Sequence, residues 1–215
     1  MNKIYIPFCD KLNTPSAKSI ENVLEEAGAT GLIECVNWAD LFPYKPVTFF
    51  KIARSADTLF IKYSVKGNVL RAVYSNDQEP VWQDSCVEFF CKRTDEAGYT
   101  NFEFNCIGTC LSARHTSREV KVSRPPEEMN RILRYPSLGK RTFKEMEGMF
   151  SWELTVGIPF TLLDIDPDHL PEKMLGNFYK CADGTALKHY VSWSPIHTPT
   201  PDFHRPEFFG ELIFA

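Results

Sequence analysis

Two-residue alternation of apolar and polar side chains most narrows what this chain can fold into. Leu59, Ile61, Tyr63 and Val65 share one side of such a pattern; Trp152, Leu154, Val156 and Ile158 share another, against Ser151, Glu153 and Thr155. Successive strand side chains point to opposite faces, so these runs read as half-buried strands rather than helices. Further strand patterns fall at residues 3–9, 32–36, 49–54, 69–74, 87–92, 99–107, 175–181, 189–193 and 208–214, separated by turn-forming residues. With 17 Phe, 8 Tyr and 15 Pro in 215 residues, the expectation is all-β: an antiparallel β-sandwich, jelly-roll-like, of ten or so short strands.

Gly67-Asn68 is expected to turn a hairpin. One short N-terminal helix is expected, because Ile20, Val23, Leu24 and Ala27 recur at helical spacing between Pro15-Ser16 and a stop at Gly28. Residues 112–145 are sparse in apolar side chains and carry nine Lys or Arg, which reads as a long basic loop insertion. Residues 1–44 are expected as an arm packed on a sandwich of residues 45–215, one domain overall.

A net charge of −4 and scattered basic residues argue against nucleic-acid or anionic-membrane partners. No apolar run reaches the roughly 18 residues of a membrane-spanning helix. The N-terminus lacks an apolar signal segment, so a cytoplasmic location is expected; a leader removed earlier would make the protein secreted. Seven cysteines, an odd number with no CxxC, read as reduced, buried thiols. Strand alternation would not hold Cys106, Cys110 and His115 together as zinc ligands, and no Met–His pair suits haem. No cofactor is expected on these grounds.

Chemistry concentrates at residues 81–90. Trp82 follows Pro80 at the bend into a strand on which Asp84, Cys86 and Glu88 share one face and Val87 and Phe89 the other. A hairpin closed symmetrically by residues 94–98 sets Glu88 opposite Glu103, Phe90 opposite Asn101, and Cys86 opposite Asn105. Asp84, Glu88, Asn101, Glu103 and Asn105 then share one face. Two opposed glutamates repel unless bridged, and Arg71, Lys180, a cation or ligand hydroxyls are the candidate bridges. Trp193 ends a strand before the Ser194-Pro195 turn, a position expected at a rim, while His204 and Arg205 are possible ligand donors. Aromatic rings beside acceptors suit a molecule with an apolar face and a hydroxyl-rich edge, for which a sugar is the commonest candidate. Three other readings remain open: a solvated acidic surface, a glycosidase whose Glu88 and Glu103 approach the about 5 Å of a retaining carboxylate pair, and a protein-interaction module using the basic insert.

The stretch from Trp82 to Phe90 resembles a strand of the family 9 carbohydrate-binding modules and their bacterial relatives. Asn101 to Gly108, Asn177 to Cys181, Ser192 to Pro195 and Phe203 to Gly210 follow in the family's order, so the resemblance covers roughly residues 45–215. It implies a non-catalytic β-sandwich that binds mono- or oligosaccharides or glycan chain ends, one sugar ring clamped between two Trp. The matching positions are Trp82 and Trp193 for the clamp and Glu88 for hydroxyl contacts, with Asp84, Glu103, Asn105, Arg71 and Lys180 less securely matched. Family members also carry structural calcium; its ligands find no match here, so calcium stays open. The usual setting of such a module, appended to a secreted hydrolase, is missing from this sequence.

Overall fold

The computed structural model describes residues 2–13 and 16–215. Its first strands are β1 (Lys3–Ile6), β2 (Ala29–Leu32), β3 (Val47–Arg54), β4 (Thr58–Ala72), β5 (Cys86–Arg93), β6 (Tyr99–Asn105) and β7 (Cys110–His115). They are followed by β8 (Lys121–Ser123), β9 (Leu133–Pro136), β10 (Phe143–Pro159), β11 (Lys173–Cys181), β12 (Tyr190–Ser192) and β13 (Gly210–Phe214). One sheet runs β1-β13-β11-β5-β6-β7-β8 with β12 paired to β11; the other runs β2-β3-β4-β10-β9. The β1–β13 pairing is parallel, and the central pairings of both sheets are antiparallel. This is the expected β-sandwich.

The alternating apolar residues fill the space between the sheets. Phe50, Ile61, Leu154 and Val156 from one sheet meet Val87, Phe89, Phe102, Phe104 and Phe178 from the other. Phe178 is stacked between Phe50 and Phe89, with ring centroids 3.8 and 5.0 Å away. Full burial of such side chains contributes about 1.5–3 kcal/mol each.

The helix α1 spans Ala17–Ala27 and buries Ile20, Val23 and Leu24. Ser16 caps it by accepting the Ser19 N–H, and Gly28 closes it. Pro15, the other residue expected at its start, lies outside the described residues.

Two local expectations are corrected. Gly67-Asn68 does not turn a hairpin; β4 runs straight through it and pairs with β10, whose register shifts between Glu147 and Phe150 opposite this point. The Tyr44 hydroxyl accepts the Asn68 N–H at 2.7 Å and holds the strand extended. The strand expected at 32–36 lies instead at Ala29–Leu32, where the Gly31 backbone packs against the Phe50 ring: a Cβ there would lie 2.2 Å from Cζ. The basic stretch after β7 crosses from one sheet to the other and carries β8, the helical turn α2 (Pro126–Met129) and β9.

Loops cover the outer face of the larger sheet. Trp38, Val81, Ile196 and Phe203 pack onto Phe90, Tyr99, Tyr179 and Cys181, forming a second apolar cluster. The outward-facing polar residues of β5 and β6 therefore lie under a roof rather than in water: Glu88 is 2% exposed and Glu103 5%.

Candidate binding site

The hairpin register is the expected one. β5 and β6 pair Glu88 with Glu103, Phe90 with Asn101, and Cys86 with Asn105. Above Glu88, Asn101 and Glu103 opens a cavity of about 310 Å³, walled by Trp82, Tyr190, Phe203 and His204 and rimmed by Arg118, Lys121, Asp183 and Asp202. The site thus combines aromatic walls with carboxylate and amide groups on its floor.

Several contacts hold the floor. Asn101 donates from Nδ2 to Glu103 Oε1 at 2.8 Å, and its Oδ1 accepts the Ala113 N–H. The Cys181 thiol donates to Glu88 Oε1 at 3.0 Å. Among the described residues, Glu103 Oε2 is buried without a hydrogen-bond partner. Burial and the nearby Cys181 and Glu103 push the Glu88 carboxyl well above its ordinary range. Burial lifts Glu103 to about 7, an effect the Asn101 hydrogen bond opposes.

Trp82 sits half-buried on a 3-10 turn, Val81–Gln83, that leads into β5. Its carbonyl accepts the Asp183 N–H, and the Gln83 carbonyl accepts the Gly184 N–H, which locks this turn to the loop after β11. Asp84 anchors the turn from below. Its fully buried carboxylate accepts the Val73 and Tyr74 N–H groups and Asn105 Nδ2, with Arg71 Nε at 3.5 Å. Arg71 also donates to the Gln83 and Gly184 carbonyls. A Cβ on Gly184 would lie 1.6 Å from that guanidinium, so any larger residue there must displace it.

Asp84, Asn105 and Arg71 therefore shape the site from behind; none of them lines the cavity. Arg71 does not bridge the two glutamates. Nor does Lys180, which lies on the opposite face of β11 from Cys181 and donates to the Cys181 carbonyl and to His189 Nε2 at 2.7 and 2.9 Å. His189 Nδ1 faces the Leu187 carbonyl at 2.7 Å, and burial together with Lys180 keeps this imidazole neutral.

Trp193 is the main correction. It is 6% exposed and packs edge-on against Phe50 and Phe178 in the core between the sheets, not at a rim. Strand alternation explains this, since Trp193 falls on the face of Val191, which is also in that core. Gly210 makes room for it: a Cβ there would lie 2.5 Å from the indole. The further aromatic residues that line the cavity with Trp82 are instead Tyr190, on the other face of the same strand pattern, and Phe203. Phe203 stacks on Tyr179 at 4.2 Å, and its carbonyl accepts the Tyr179 hydroxyl. His204 lines the cavity, 2.8 Å from the Tyr99 hydroxyl, whereas Arg205 pairs with Glu207. Burial lowers His204 to about 3, so it is neutral.

Among the described residues, Cys86, Glu88 and Cys181 converge closely enough to hold an ion. Calcium takes oxygen ligands, and this thiol-rich set does not fit it.

The family model of carbohydrate-binding family 9 matches residues 18–214. A crystal structure of a candidate carbohydrate-binding protein from Bacteroides uniformis is 34% identical, with a TM-score of 0.91 over 99% of each chain. A family 9 carbohydrate-binding module from Caldicellulosiruptor kristjanssonii, in complex with glucose, is 12% identical with a TM-score of 0.59 over 100% of this chain and 96% of that one. Its cellotriose complex gives 12% and 0.58, over 99% of this chain and 93% of that one. No curated protein matches the chain significantly.

Proposed function

The chain belongs to carbohydrate-binding family 9, a family of non-catalytic modules, and we propose that it binds sugar in the cavity that Trp82 helps to line. One observation carries this reading: a single cavity is lined both by aromatic rings, Trp82, Tyr190 and Phe203, and by hydrogen-bonding groups, Glu88, Asn101 and Glu103. An indole against the C–H face of a pyranose removes apolar area from water, at about 25 cal/mol per Å². The floor oxygens, Glu103 Oε2 foremost because it lacks a partner among the described residues, accept from ring hydroxyls.

The glucose and cellotriose complexes of the Caldicellulosiruptor module support gluco-configured mono- and oligosaccharides as first ligands to try. A cavity of about 310 Å³ suits one sugar ring, with any further rings lying outside. Recognition of a single ring gives affinities on the order of micromolar to millimolar. The opposed glutamates serve recognition in this account.

Titration of intrinsic tryptophan fluorescence with glucose and cellotriose tests the proposal. A saturable change that disappears in a folded Trp82→Ala variant supports it. Unchanged affinity in that variant sinks the assigned site.

A further inference from the structure

We propose that Cys86, Cys181 and Glu88 form a binding site for one thiophilic divalent cation of the zinc type, beneath the cavity floor. Glu88 is shared with the floor of the proposed sugar cavity, and the titration that tests the ion site reads the metal alone. Cys86 and Cys181 are directly opposed partners on β5 and β11, and Glu88 lies two residues further along β5 on the same face. Glu88 Oε1 lies 3.0 Å from Cys181 Sγ and 3.9 Å from Cys86 Sγ, and the three ligand atoms all lie within 4.8 Å of one another. Tetrahedral zinc, with bonds of about 2.3 Å to sulfur and about 2.0 Å to carboxylate oxygen, sets S···O near roughly 3.5 Å and S···S near roughly 3.8 Å. Side-chain adjustments of about half an ångström bring the two S···O separations to that geometry.

The chemistry of the set is selective. Two thiolates favour zinc-like ions over calcium or magnesium. Charge balance points the same way. Two thiolates and a carboxylate carry three negative charges, which a buried site must neutralise. A dication supplies two positive charges and Lys180, the preceding residue on β11, the third from the sheet's other face: its buried ammonium donates to the Cys181 backbone carbonyl and the His189 imidazole and, among the described residues, to no carboxylate. Each thiol, and the Glu88 carboxyl where it is protonated, gives its proton to solvent as its bond to the metal forms. Glu88 and Cys181 line the cavity, so the ion enters from there, and three protein ligands leave a fourth position for water.

The test is titration of the reduced chain with Cd²⁺, followed through the ultraviolet thiolate-to-metal charge-transfer band, with Zn²⁺ as competitor. The expected result is saturation at one ion per chain and displacement by Zn²⁺. The band is lost in Cys181→Ser and Cys86→Ser and kept in Cys9→Ser, a cysteine in a separate apolar cluster. Co²⁺ added to the unmutated chain gives a tetrahedral d–d spectrum, a readout that needs no variant to fold. Absence of both spectra in the unmutated chain, or a band that survives both substitutions, overturns the proposal.

Discussion

Glu88 and Glu103 lie directly opposite each other on paired strands, both buried, and the nearby guanidinium groups are engaged elsewhere, Arg71 with Asp84 and Arg118 with Asp202. Burial raises both carboxyls, with Cys181 and Glu103 adding to the rise at Glu88 and Asp183 to that at Glu103. A raised carboxyl binds its proton more tightly in the folded chain than in the unfolded one. Its contribution is therefore complete below the ordinary carboxylate pKa of 4.5 and is lost as pH rises through the folded value, about 7 for Glu103.

Glu103→Gln should remove part of this pH dependence. The variant keeps an acceptor for Asn101 and carries no charge. Thermal unfolding from pH 5 to pH 8 should show the wild type losing stability relative to the variant as pH rises. The gap in Tm should reach roughly 2–4 °C for each kcal/mol recovered. Parallel curves across that range would contradict the assignment.

Trp82 and Trp193 should separate binding from stability. Trp82 is half-buried at the cavity wall, and Trp82→Ala should abolish sugar binding with a modest change in Tm. Trp193 packs in the core, and Trp193→Ala should cost about 3–5 kcal/mol. Calorimetric titration beside urea unfolding of both variants checks this; selective loss of binding in a stable Trp193→Ala would place that ring in the site after all.

The support behind Trp82 should matter without touching ligand. Asp84→Ala leaves the Val73 and Tyr74 N–H groups without their acceptor, Asn105 Nδ2 with the Tyr74 carbonyl alone, and Arg71 without its carboxylate. Breaking a buried ion pair of this kind costs about 3–5 kcal/mol. Gly184→Ala is the milder probe: it must displace the Arg71 guanidinium, and it should weaken sugar affinity severalfold in a folded chain. Hydrogen exchange of the Asp183 and Gly184 amides, which bond the Trp82 turn, should quicken in both variants.

Local patterns in the sequence carried much of this architecture. Alternation identifies the strands of the core, and the symmetric loop at residues 94–98 sets the Glu88–Glu103 register that the hairpin adopts. Trp82 beside Pro80 marks the turn. Trp193 is misread when the Ser194-Pro195 turn is weighted over the alternation from Val191, which points the indole inward. Tyr190 is legible from the same alternation. Phe203 is not: its position depends on stacking with Tyr179, 24 residues away, and no periodicity encodes that. Arg71 and Lys180 read as bridges because they are basic and near in sequence to the right strands. Their partners, Asp84 and His189, are set by three-dimensional packing.

A crystal structure of the chain with bound glucose tests the central claim most directly. The account predicts one ring in the cavity, its C–H face against Trp82 and its hydroxyls toward Glu88, Asn101 and Glu103. Glucose bound away from this cavity, or a cavity holding only water at a concentration that saturates the fluorescence titration, would contradict it.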